Sequence, residues 1–147
     1  MGIFDAIFQG MESRTKLTRQ ESFAGILLAA SACDGHVSND ESHQLLTALF
    51  HMKLFKRFNE KQFNGVMNKL LGVLKKSGPD ALVDGCVEVF PKELRSTAFT
   101  NAVNIVLADG VLETEEREFI NSLKSKLGIK ASIAKSIAQV LVIKNKG

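Results

Sequence analysis

Ala32-Cys33-Asp34-Gly35-His36-Val37-Ser38-Asn39-Asp40-Glu41 and, 75 residues later, Leu107-Ala108-Asp109-Gly110-Val111-Leu112-Glu113-Thr114-Glu115-Glu116 share one pattern, Asp-Gly-x-apolar-x-x-x-Glu. Carried outward at that offset, Ala24 falls on Phe99, Leu27 on Ala102, Leu28 on Val103, Leu45 on Ile120, Ala48 on Leu123 and Met52 on Leu127. The offset then drops to 70, pairing Phe63 with Ile133, Met67 with Ile137, Leu70 with Val140 and Leu71 with Leu141. Unrelated amphipathic helices would share apolar stripes by chance, but not also two Asp-Gly corners with a Glu at the same distance. The pattern predicts a three-helix unit used twice, over 18–77 and 92–144, within a single domain 1–147.

Around the corners the apolar residues recur at three- and four-residue spacing, which predicts an all-α bundle of seven to eight helices. Thr18-Arg19-Gln20-Glu21 reads as a capping box, in which a side chain and a backbone N–H at each end of the tetrapeptide satisfy one another. It opens a helix with Phe23, Ile26, Leu27 and Ala30 on its apolar face. Ser38 to Glu41 and Asn59 to Gln62 read the same way, ahead of stripes at Leu45, Ala48, Leu49, Met52 and at Phe63, Met67, Leu70, Leu74. A boundary is expected at Ser77-Gly78, with Pro79 and Pro91 each in the first turn of a new helix, where a missing N–H is harmless. Gly128 is expected to end the helix bearing Phe119, Leu123 and Leu127. Ala131 to Lys144, with Ile133, Ile137, Val140 and Leu141, closes the chain.

The composition of the 147 residues is that of an ordinary globular protein, 45% hydrophobic and 24% charged with a net charge of +3. No apolar run approaches the ~20 residues of a membrane span, and the first residues lack the pattern of a secretory leader, so a cytoplasmic protein is expected. Cys33 and Cys86 lie far apart in helical registers and read as free thiols. Ten Phe with no Trp or Tyr suit a core better than a stacking surface for nucleic acid. Neither a nucleophile elbow, a P-loop, a dinucleotide fingerprint nor a His-Glu-x-x-His helix occurs, so a non-enzyme is expected.

The corners have a structural reading. Gly35 and Gly110 can turn the chain out of one helix, while Ser38 and Glu41 satisfy the first amides of the next. This accounts for Asp34 and Asp109 less well, because a carboxylate at a helix C-terminus faces the negative end of the dipole and needs a partner. That partner is either the amides of the following helix or a cation. The doubled Asp-Gly-x-x-x-x-x-Glu signature, on all-helical halves and with the opening Met1-Gly2-Ile3-Phe4-Asp5, resembles the tellurite-resistance TerB family over essentially the whole chain. The resemblance implies a helical, cytoplasmic, non-catalytic protein of the tellurite and chemical stress response, with metal bound through the acidic motif residues. Here these are Asp34 and Glu41 in the first corner and Asp109, Glu113 and Glu116 in the second, hard oxygen donors that favour Ca²⁺ or Mg²⁺ over Zn²⁺. Glu113 departs from the pattern, standing where Ser or Thr is expected. It makes the second corner the more acidic. His36, Asp40 and His43 form a rival transition-metal group in the first corner alone.

Charge is unevenly spread. Lys53 to Lys76 carries seven basic residues against Glu60, whereas Asp109 to Glu118 carries five acids and Arg117. These are solvated helix faces or a docking surface for a protein partner or a second copy; without a recognition motif, nucleic acid is not expected. Ile3, Phe4, Ile7, Phe8 and Met11 make a short amphipathic segment expected to pack on the bundle or across a dimer, with peripheral membrane contact the lesser reading. Ala6 stands where a myristoylation signal has Ser or Thr. The function expected first is thus a TerB-like cation-binding interaction module. The alternative is a helical scaffold that takes a small apolar ligand or a partner helix in a Phe-rich groove.

Overall fold

The computed structural model describes residues 17–33, 39–108 and 112–146, with the backbone alone for 39–43. Among the described residues every regular element is helical: α1 (Arg19–Ser31), α2 (Asn39–Phe50), α3 (Glu60–Glu88), α4 (Arg95–Leu107), α5 (Thr114–Leu127) and α6 (Ala131–Lys144), with 3-10 turns at Lys53–Phe55 and Lys92–Leu94. None of these helices is long and apolar enough to cross a membrane.

Among the described residues six helices stand where seven to eight are expected, and the difference lies partly at Gly78, where one run joins two helical arms. Residues Glu60–Glu88 form one run, yet Gly78 inside it has φ 86° and ψ 170°. That conformation is open to glycine and closed to other residues, so the run bends there, and Pro79 starts its second arm. The boundary expected at Ser77-Gly78 is therefore present, non-helical Gly78 separating two helical arms within the run. Pro91 precedes a 3-10 turn that leads into α4 instead of sitting in the helix itself.

α1 is the central helix. Its capping box forms as expected, Thr18 Oγ1 accepting the Glu21 N–H at 3.1 Å and Glu21 Oε1 accepting the Thr18 N–H at 3.0 Å. Every residue from Glu21 to Ala30 is buried. The expected apolar face of Phe23, Ile26, Leu27 and Ala30 is thus only part of what is covered, because α3 and α4 both pack on this helix and Ala24, Leu28 and Ala29 fill the remaining sides. Glu21 is tolerated inside because its other oxygen meets Lys69 Nζ of α3 at 2.9 Å.

Gly25 sets how closely α1 and α3 approach. A Cβ placed on it would lie 2.5 Å from Cys86 Sγ, 3.4 Å from Leu70 and 3.5 Å from Leu82. Leu70 belongs to the arm of α3 before the Gly78 bend, Leu82 and Cys86 to the arm after it. The kinked helix therefore clasps α1 at the residue with no side chain. Burial, with a smaller contribution from the Glu21 charge, pushes the Cys86 thiol up to about 12. At one end of the core the Phe23, Phe55, Phe58 and Phe63 rings pack on one another, with Phe55 5.0 Å from Phe63 and 5.4 Å from Phe58 between centroids.

α4 lies on α1 and carries α5 and α6. Its Ala98, Phe99, Ala102, Val103 and Val106 are buried. α5 ends at Gly128 as expected, with the Ile129 N–H returning to the Lys124 carbonyl at 3.0 Å. α6 differs from its reading: Leu141 is buried, but Ile133 and Val140, paired in sequence with the buried Phe63 and Leu70, are exposed.

Replacing Gly25 by Ala is expected to lower stability by about 1 kcal/mol, since overpacking costs of about 1–3 kcal/mol exceed the gain in helix propensity of roughly 1 kcal/mol. In a Cys86→Ala background the sign should reverse, and urea unfolding of the four variants reads the coupling. A second expectation concerns acid. Burial opposes ionisation of Glu21, but the Thr18 N–H and the Lys69 ammonium outweigh it and hold its carboxyl below its ordinary value. The unfolded chain then takes up protons first as pH falls, so this stabilisation is whole above the ordinary carboxylate range and is lost as pH drops through the folded value. Glu21→Gln should lose less stability than the parent chain between about pH 7 and about pH 3.

Candidate functional site

Of the acidic residues singled out in the sequence, Asp34 and Asp109 lie outside the described residues, as do His36, the capping Ser38 and the side chains of Asp40, Glu41 and His43. Glu113 and Glu116 are described. Glu113 is the residue before α5, and the Glu116 carboxylate accepts its N–H at 3.1 Å in a capping-box arrangement. Glu116 is buried while Glu113 is exposed. The role of Glu116 as a cap is therefore present, with Glu113 doing in the second corner what Ser38 was expected to do in the first.

The surroundings of the two corners converge. Cys33, the last described residue before the first corner, and Ala108, the last before the second, line one recess of about 210 Å³. Glu116 lines it as well. Its remaining polar wall is Ser31, Gln44, Asn101 and Asn104, and its apolar wall is Leu27, Ala30, Leu45, Ala48, Ile105 and Val106. Local bonds fix the polar wall. Ser31 Oγ donates to the Leu28 carbonyl at 2.8 Å, and Asn101 Nδ2 donates to the Thr97 carbonyl at 2.9 Å, so Asn101 presents its carbonyl oxygen as an acceptor. Asn104 Oδ1 accepts from Asn145 Nδ2 at 3.0 Å and from Lys144 Nζ at 3.3 Å, tying the end of α6 to the rim.

The helix directions explain why Cys33 and Ala108 line one recess. Arg19 at the start of α1 pairs with Glu93 just before α4 at 3.4 Å, and the ends of both helices border the recess. The two helices run parallel, so their C-terminal ends lie at the same end of the bundle. Cys33 also lines a second recess of about 320 Å³ with Asp80, Glu115, Glu118, Phe119 and Ser122. Acidic side chains from the α3 bend and from α5 thus crowd one side of the corner region. Among the described residues no group of three or more His, Cys, Asp or Glu is placed to hold a metal ion. A complete ligand set would need the corner residues themselves.

Sequence reading missed Asn101, Asn104, Gln44 and Asp80. A signal existed for the first two: Asn101 and Asn104 are polar residues three apart in a helix whose other inward positions are apolar, which marks a wetted strip. Asp80 carried none, because only the bend at Gly78 brings it to the recess beside Cys33. No protein-family model, curated protein or solved structure matches the chain.

The capping role gives a direct expectation. Glu116→Gln keeps an oxygen for the Glu113 N–H and should change stability by less than about 0.5 kcal/mol, whereas Glu116→Ala leaves that N–H without its partner and should cost about 1–2 kcal/mol. Thermal and urea unfolding of the two variants read the difference.

Proposed function

We propose that this chain is a non-catalytic, TerB-like protein of the tellurite and chemical stress response that holds a divalent cation where its two Asp-Gly corners meet, and that it acts as an interaction module. The observation that carries the reading is the shared recess, bordered by the residue before each corner and by the Glu116 carboxylate. The ligands would be Asp34, Glu41, Asp109, Glu113 and Glu116. Accepting one N–H does not disqualify Glu116, because a carboxylate has about four lone-pair sites. An all-oxygen set supplemented by the Asn101 carbonyl suits Ca²⁺ or Mg²⁺ rather than Zn²⁺. The corners belong to a three-helix unit used twice, 18–77 and 92–144, in which α1, α2 and the first arm of α3 answer to α4, α5 and α6.

A second reading is favoured by the apolar wall of the same recess, which suits a small apolar ligand in place of an ion.

Calorimetry on metal-stripped protein with Ca²⁺, Mg²⁺, Mn²⁺ and Zn²⁺ separates the two. Binding of Ca²⁺ or Mg²⁺ is expected, together with a rise in melting temperature that follows from binding to the folded state alone. Asp34→Asn/Asp109→Asn should abolish both effects, and Asp109→Asn alone should weaken binding more than Asp34→Asn, since Glu113 enriches the second corner. Absence of heat and of any melting shift with all four ions would overturn the cation reading and leave the apolar one.

A further inference from the structure

Two separate surfaces of the bundle carry opposite charge around an apolar centre. At the end where α1 begins, the connection from α2 to α3 exposes Lys53, Lys56 and Arg57, and Lys61 follows in the first turn of α3, against Glu60 alone. Phe50, the last residue of α2, stands beside them 42% exposed, its ring 4.1 Å from that of Phe63. The Phe55 ring, 6.5 Å from Phe23, holds this connection to the early turns of α1.

Beyond the other end of α1, the recess of about 320 Å³ beside Cys33 is bordered by Asp80, Glu115 and Glu118, all exposed, with Pro79 and the buried Phe119 as its apolar lining. Glu115, Glu118 and Ser122 stand three and seven residues apart on α5 and so share the face that turns to the recess, whereas Arg117 lies on the opposite side of that helix. Lys75 and Lys76, on the far side of the Gly78 bend, do not line it. Among the described residues no basic side chain lines the recess, and none of the charged groups on either surface is ion-paired.

We propose that the basic end of one copy docks on the acid-bordered recess of a second copy, Phe50 entering against Pro79 and Phe119 while Lys53, Lys56 and Arg57 meet Asp80, Glu115 and Glu118. Charge complementarity selects this occupant, because one surface offers basic groups around an aromatic ring and the other offers acids around an apolar hollow. Size agrees with it, since a cavity of roughly 150 Å³ already accepts a benzene ring. A twofold pairing would instead set basic against basic or acidic against acidic. Ten residues of α1, about 15 Å of helix, separate Phe23 from Cys33, so one chain cannot satisfy its own recess. The contact is head-to-tail and leaves one surface free at each end, which lets it propagate. It uses none of Asp34, Glu41, Asp109, Glu113 and Glu116, and so stands independently of an ion at the corners.

The test is sedimentation of the full-length protein with chelator present, so that no divalent ion bridges the copies. At about 0.01 M salt, where charges are screened over roughly 30 Å, the weight-average mass should at least double on concentration, and at about 1 M salt it should return towards that of the monomer. Lys53→Gln/Arg57→Gln and Glu115→Gln/Glu118→Gln alter exposed side chains only, and each variant alone should stay monomeric. Mixed in equal amounts they should form a 1:1 dimer that grows no further, because each variant keeps one of the two surfaces. A parent chain that stays monomeric at low salt, assembly that survives either pair of substitutions, or a mixture that remains monomeric would overturn the proposal.

Discussion

Everything in this fold is hung on the close approach of α1 and α3 at Gly25. A helix surrounded by apolar residues on every side has to be enclosed, and α1 is enclosed by one helix that bends around it. The bend needs Gly78, whose positive φ no other residue adopts cheaply, and the contact needs Gly25, where any side chain would meet Cys86. The two glycines act as a pair. One turns the second arm of α3 back towards α1, and the other lets that arm arrive. Leu70 from the first arm and Leu82 from the second then share the same small stretch of α1.

From this clasp the position of the recess follows. With α1 held centrally, α4 lies on it in parallel, and the residues that follow the two helices, Cys33 and Ala108, come to one recess. The recess between them inherits both kinds of wall: apolar residues continuing the core, and amides where the helices near their ends. A fold with α1 and α4 antiparallel would separate the corners by the length of a helix, roughly 20 Å for 13 residues. Two equal motifs would then be two distant turns, whatever their sequence.

Local signals were the legible part of the chain. Thr18 with Glu21, Asn59 with Gln62 and Gly128 were read as helix ends from residue type and spacing alone, and the backbone bonds at each are present. These devices act within four residues, so nothing distant can override them. What escaped depends on who lies opposite. α1 looked one-sided because Phe23, Ile26, Leu27 and Ala30 already make a stripe, yet its other residues are also small or apolar, and only the wrapping by α3 and α4 shows that they are needed. α6 erred the other way: Ile133 and Val140 have the character of core residues without a cover among the described residues. At the site, Glu113 and Glu116 were found by spacing, whereas Asp80 reaches the recess beside Cys33 only through the bend at Gly78.

Glu21 and Glu116 show how one local device can serve two ends. Each is the third residue of its helix, each is buried, and each accepts the N–H at its own helix start, Thr18 at 3.0 Å and Glu113 at 3.1 Å. For Glu21 the remaining charge is answered by Lys69, a fixed ammonium 2.9 Å away, and the result is a structural tie. Around Glu116 the sequence gathers acids, Asp109, Glu113, Glu115 and Glu118 within ten residues that also hold Arg117, and Asp80 and Cys33 border the neighbouring recess. Like charges gathered in a partly dry place raise one another's energy, and the field they make concentrates cations.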